Sequence, residues 1–160
     1  PTAVSSAGTS TSGSTSVTVT STTGMIAGRA FAAVNLGNTA IACTNTPANT
    51  VTKVGHGLPN GTKIVFSSIT TGVGVYVRTI YYVINAAADT FQLAVVSGGT
   101  AISFSFSAAS YLFYNSIVSV DSGTTLTVAV PATASGATTV AVYPITQVRD
   151  AQLKGWTITA

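Results

Sequence analysis

An all-β fold is predicted for this chain by three observations: apolar residues that alternate with period two, turn-forming residues between them, and no sustained helical period. "VTVT" at 17 to 20, "TLTVAV" at 125 to 130 and "TTVAVY" at 138 to 143 alternate apolar with small polar side chains. That is the pattern of a strand with one face buried. "VNLGN", "NTPAN", "LPNG", "VSGG", "DSGT" and "TASG" lie between such runs, and Gly, Asn, Asp and Pro favour turns there. Only "VRDAQLKGW" gathers several helix-forming residues, and it is short.

Taken in order, the first 23 residues contain 15 Ser or Thr and no charge. Such a segment buries little by itself, so residues 1 to 13 are expected to form an extended N-terminal arm, flexible or laid on a neighbour, with Val4 a candidate assembly contact. A repeat organises the rest of the chain. Gly24-Met25-Ile26-Ala27-Gly28 follows the strand "VTVT", and Gly57-Leu58-Pro59-Asn60-Gly61 follows "TVTK", a spacing of 33 (57 minus 24). Downstream, "IYYVINAAADTFQLA" from Ile80 resembles "IVSVDSGTTLTVAV" from Ile117, with spacings of 37 at the isoleucines and 35 at Thr90 and Thr125. The order is opening, opening, closing, closing, so one small β-barrel or sandwich module is expected inside another of the same plan. The host would be residues 14 to 44 plus 109 to 147, and the inserted module 45 to 108. Residues 148 to 160 would be a C-terminal arm or a closing strand, with Trp156 and Ile158 on one face as further candidate assembly contacts.

The side-chain chemistry argues against catalysis. Charged residues make up 6% of the chain, against about 25% in ordinary domains, so much of the surface should be Ser, Thr and Ala or be covered by partners. The acids are Asp89, Asp121 and Asp150, with no glutamate, too few and too dispersed for a paired-carboxylate site. The net charge of +3 comes from six scattered cations, Arg29, Lys53, Lys63, Arg78, Arg149 and Lys154, and these form no stripe for nucleic acid. The N-terminus lacks the charged start and apolar run of a signal peptide. No stretch reaches the roughly 20 apolar residues of a membrane helix.

Two residues invite a site reading. Cys43 is the single cysteine, which reads as a small buried hydrophobe because no base lies nearby in sequence. His56 in "GHGLPNG" is the single histidine. A dinucleotide fingerprint fails there, because Asn60 stands where the third glycine belongs and a β-rich "TKIVFSS" comes next instead of a helix. In the repeat His56 corresponds to Thr23, so the plan requires the glycines and not the imidazole. Gly24, Gly28, Gly57 and Gly61 are therefore expected as structural turns. No catalytic, cofactor-binding or metal-ligating residue, and hence no enzyme, is expected.

"NTVTKVGHGLPNGTKIVFSS" followed by "YYVINAAADTFQLAVVSGGTAI" resembles the small β-barrel module of tailed-phage structural proteins, found also as a half-domain in ubiquitin-activating enzymes. The likeness covers roughly residues 48 to 104. The host segments are similar to Thr/Gly-rich β modules of phage decoration, tail and fibre proteins. No adenylation motif accompanies the module, so no ubiquitin-pathway role is carried over. The resemblance implies a virion component assembled in the host cytoplasm: a capsid decoration (cement) protein forming a homo-oligomer, such as a trimer, on the major capsid protein. The alternatives are a tail, neck or fibre-base protein and a carbohydrate-binding adhesin module. It transfers no functional residue.

Overall fold

A computed structural model describes residues 4–142. They are all-β, with no helix among them. The chain opens with β1 (Val4–Ser10), β2 (Ser16–Val19) and β3 (Ala30–Ala32). Then come β4 (Ile41–Cys43), β5 (Val51–Thr52), β6 (Lys63–Thr70), β7 (Ile80–Ile84), β8 (Thr90–Ala94) and β9 (Ala108–Phe113). The last described strands are β10 (Asn115–Val120), β11 (Thr125–Val128) and β12 (Gly136–Val142).

These strands form two compact units. One holds the described residues up to Thr39 together with those from Tyr114 onward, and the other is Ala40–Phe113. The division falls at 39/40 and 113/114 instead of 44/45 and 108/109. The reason lies in the register: Ile41 pairs with Tyr111 and Cys43 with Ala109, so β4 and β9 bind each other within the inserted unit. Chain departure and return are thereby neighbours, as an insertion requires.

The first unit is a closed barrel in the order β1-β12-β3-β10-β11-β2, and the second is a six-stranded sheet in the order β4-β9-β6-β7-β8-β5. If the strands of each unit are numbered along the chain, both orders read 1-6-3-4-5-2. The turns repeat in detail as well. The Gly28 N–H donates to the Ile117 carbonyl (2.7 Å) and the Ile117 N–H to that of Arg29 (2.9 Å). In the second unit the Gly61 N–H donates to the Val83 carbonyl (2.8 Å) and the Val83 N–H to that of Thr62 (2.9 Å). The structural partner of Ile117 in the repeat is thus Val83, three residues beyond the Ile80 that sequence similarity suggested. Gly24, Gly28, Gly57 and Gly61 have φ of 80°, 82°, 64° and 87°, in the region that an L side chain adopts only at a cost.

The N-terminal segment corrects an expectation. Val4–Ser10 is no free arm: it pairs along its whole length with β12, and Gly8–Ser10 also pair with β2, which closes the barrel. The error came from counting apolar side chains. A barrel strand is held first by its backbone groups, and the hydroxyls that reach the interior find partners. Ser6 and Ser10 are buried; the Ser6 hydroxyl meets that of Thr20 (2.9 Å) and Ser10 donates to the Ala134 carbonyl (3.0 Å). Val4, expected at an assembly contact, packs against the barrel core instead.

Each unit has its own core. Val17, Phe31, Leu36, Ile117, Leu126 and Val140 fill the first. Ile64, Phe66, Phe91, Leu93, Tyr111 and Phe113 are buried in the second, where Phe91 and Tyr111 meet edge to face at 5.7 Å. Of the other tyrosines, Tyr81 is buried and Tyr76 is 68% exposed, while Tyr82 lies beneath the Lys63 ammonium at 5.9 Å.

Candidate functional site

The two units differ at one seam, between their first and second strands. In the closed barrel, Gly8 faces Val19, Thr9 faces Thr18 and Ser10 faces Val17. In the other unit the matching strands meet at one bridge, Thr44 with Thr52, whose N–H groups each donate to the other's carbonyl at 3.0 and 2.8 Å. The hydrogen bonds fix the equivalence. Val19 N–H donates to the Thr124 carbonyl and Lys53 N–H to the Asp89 carbonyl, both at 2.8 Å, so Lys53 stands where the closed barrel has buried Val19. One residue before Thr9 lies Gly8, and one before Thr44 lies Cys43.

That exchange explains the open seam. A Cβ at Gly8 would collide with the Thr18 carbonyl oxygen and sit 3.0 Å from the Val19 Cα, so strands this close require glycine. Cys43 carries a side chain there, and the position equivalent to Val19 holds a lysine, whose ammonium resists full burial. The strands separate beyond the bridge and leave a groove of about 510 Å³ lined by Ala42, Cys43, Lys53, Val54, Ser110 and their neighbours. Small residues give it room, and one half-buried cation gives it charge. Within a strand, backbone direction alternates, so Ala42 turns its N–H and C=O the same way as Thr44, towards the seam.

Beneath the seam the chemistry is inert. Burial pushes the Cys43 thiol up to about 12, with the Lys53 cation drawing it back slightly, which leaves no thiolate nucleophile at neutral pH. Tyr111 is completely buried, its hydroxyl has no hydrogen-bond partner, and desolvation raises its ionisation well above the usual phenol range.

His56 is buried rather than exposed at a turn. Its Nδ1 accepts from the Leu58 N–H (2.9 Å), which leaves the proton on Nε2 to meet the Thr90 carbonyl at 3.2 Å, and the ring edges onto Phe91 at 5.0 Å. Gly55 N–H donates to the Asp89 Oδ1 (2.8 Å). The imidazole therefore ties the glycine loop to the start of β8. The closed barrel makes the corresponding tie with Thr22, whose hydroxyl donates to the Ser122 carbonyl (2.8 Å). The neighbouring Asn60-Gly61-Thr62 is a turn: the Thr62 hydroxyl donates to the Pro59 carbonyl (2.7 Å) and Asn60 Oδ1 accepts from the Ala86 N–H (2.9 Å).

Among the described residues, no three of His, Cys, Asp and Glu come together as a metal cluster, and no helix is long and apolar enough to cross a membrane. Trp156 and Ile158, expected at assembly contacts, lie outside the described residues, as does Asp150. Sequence reasoning missed the groove. The signal was "VTK" at 51 to 53 where the first copy has "VTV" at 17 to 19, a lysine on a core-facing position.

No family model, no curated protein and no solved structure matches the chain.

Proposed function

We propose that this chain is a non-enzymatic structural subunit of a tailed-phage particle, a decoration protein that reinforces the head through contacts with copies of itself and with the major capsid protein. The observation that carries the reading is the nested pair of β units with one strand order, the inserted unit bearing the resemblance to phage structural modules over residues 48 to 104. A chain with only 6% charged residues suits a subunit held among partners, since its solubility does not rest on charge. Valines lie outward on both units, with Val54 76%, Val96 59% and Val118 54% exposed, available to apolar contacts.

The test is made on particles of the phage that encodes the chain, by mass spectrometry of the virion and a cryo-EM map. Many copies on the head surface are expected. Copies on the tail would replace decoration with a tail role, and absence from the particle would overturn the reading altogether.

A further inference from the structure

We propose that the open seam of the second unit receives the run "GWTITA" at 155 to 160 of a second copy, laid along the free edge of β4 with Trp156 and Ile158 turned into the groove. This deepens the proposed assembly role and rests on it.

The seam has backbone groups to offer. In the closed barrel the ladder continues past Gly8 and Val19, where the Thr20 N–H donates to the Ala7 carbonyl at 2.8 Å. The counterparts of those two residues are Val54 and Ala42, and no bond joins them. β4 and β5 are the two ends of their sheet, and Thr44 with Thr52 is the bridge between them. An added strand can therefore take up the N–H and C=O of Ala42, the mode in which a sheet edge recruits an extended segment.

The choice of strand rests on vacancy, pattern and size. Residues 143 to 160 lie outside the described residues, and the first barrel is closed without them, so it has no edge left to give. Among the described residues the open sheet ends are β4 and β5. "WTIT" at 156 to 159 alternates as a strand does, with Trp156 and Ile158 on one face and Thr157 and Thr159 on the other. The groove is walled by small side chains, Ala42, Cys43, Ser68, Ala108, Ala109 and Ser110, which leave about 510 Å³ unfilled. A tryptophan anchor fills such a space and gains most by leaving water.

Direction makes the donor a second copy. Ala141 pairs with Ala32 and Val142 with Phe31, so β12 runs back towards the start of β3 and the chain leaves the barrel at that end. It enters the inserted unit past the other end of β3, where the Thr138 hydroxyl donates to the Val34 carbonyl (2.8 Å). Donor and groove are different surfaces, so the contact is head-to-tail. Repeated around an axis it closes a ring, and weak single contacts add up.

Trp156 is the single tryptophan, so its emission reports on the contact. The full chain is followed by sedimentation and tryptophan fluorescence from 1 µM to 1 mM, values on the order of those spanning weak assembly. Association and a blue shift of the emission should rise together as the indole leaves water. W156A and the seam-closing pair C43G/K53V should each weaken association at least about tenfold, with circular dichroism confirming that both are folded. If the pair does not fold, A42P takes its place, since proline on an edge strand removes the outward N–H and is tolerated there. Mixed together, W156A and the seam variant should associate, because one keeps the seam and the other the strand. Association unchanged in W156A or in the seam variant, or a mixture no better than its parts, overturns the contact. So does a wild type that stays monomeric throughout, whether its emission is that of an exposed indole or is blue at every concentration because the run docks on its own chain. Absence from virions is what defeats the functional reading, so the two failures are told apart.

Discussion

Thr44 and Thr52 exchange both backbone hydrogen bonds, at 3.0 and 2.8 Å, and theirs is the bridge at which β4 meets β5. Thr9 and Thr18 make the corresponding pair in the closed barrel, but there Gly8 and Val19 continue the ladder. Ser10 and Val17 continue it on the other side, so the open unit lacks both neighbouring pairs, and the groove lies on the side of Cys43 and Lys53.

Restoring that pair should close the seam. The double substitution Cys43→Gly and Lys53→Val reproduces Gly8 and Val19, and is expected to slow amide exchange at Thr44 and Thr52 by about tenfold or more, since local opening is what exposes such amides. Unchanged exchange would show that something other than this pair keeps the strands apart.

Removal of residues 1–10 takes away β1, with its seven paired positions on β12 and three on β2. Because β1 closes the barrel, the truncated chain should lose the cooperative unfolding transition of the first unit, while the near-UV signal of the tyrosines in Ala40–Phe113 persists. A melting temperature within about 2 °C of wild type would mean that β1 is dispensable to the fold.

His56→Ala should destabilise the second unit by about 2–4 kcal/mol. The substitution strands the Leu58 N–H, leaves the Thr90 carbonyl with the Ala87 N–H alone and removes the edge contact with Phe91. Urea unfolding measures it, and a cost below about 0.5 kcal/mol would place the imidazole outside the structural network.

Tyr111→Phe works in the opposite direction. Its hydroxyl is buried without a hydrogen-bond partner, so deleting the oxygen removes a desolvation cost while keeping the ring on Phe91. A gain of about 1 kcal/mol is expected in the same urea assay, and a loss of that size would show that the hydroxyl has a partner in solution.

The alkaline limb of stability arises from burial. Folding raises the Cys43 thiol from 9.0 to about 12 and raises Tyr111 as well, so the folded state holds these protons more tightly than the unfolded chain. Their contribution to stability is complete below about pH 9 and declines as pH rises towards 12. Cys43→Ala should flatten that decline, as read from urea midpoints at pH 8, 9.5 and 11, and an identical slope would exclude the thiol.

Much of the architecture was legible in the sequence, and the losses have physical causes. The glycine pairs at 24/28 and 57/61 betrayed the repeat because positive φ constrains residue identity strongly. β1 went unread as a barrel strand because its strength lies in backbone pairing and bonded hydroxyls, which Ser and Thr share with loops. The alignment at Ile80 missed Val83 by three residues, an odd slip that exchanges the two faces of a strand, because the run Ile80–Ile84 is apolar or aromatic at every position and carries no alternation to fix its register. The groove was hidden because it arises from a difference between two copies: neither Gly8 nor Cys43 signals anything until the fold sets each opposite its partner.

The nesting also fixes an order of events in time. Ala30 and Phe31 of β3 must wait for Ser116 and Asn115 of β10, 86 residues later for the first pair (116 minus 30), and Val4 waits for Val142, 138 residues on (142 minus 4). On an emerging chain the inserted unit is whole before the first barrel can begin to close, and closing so long a loop is slow. Until then β1, β2 and β3 present uncovered edges to every other nascent copy, so crowded synthesis should trade strands between chains, and the yield of correctly closed barrels should fall as expression rises.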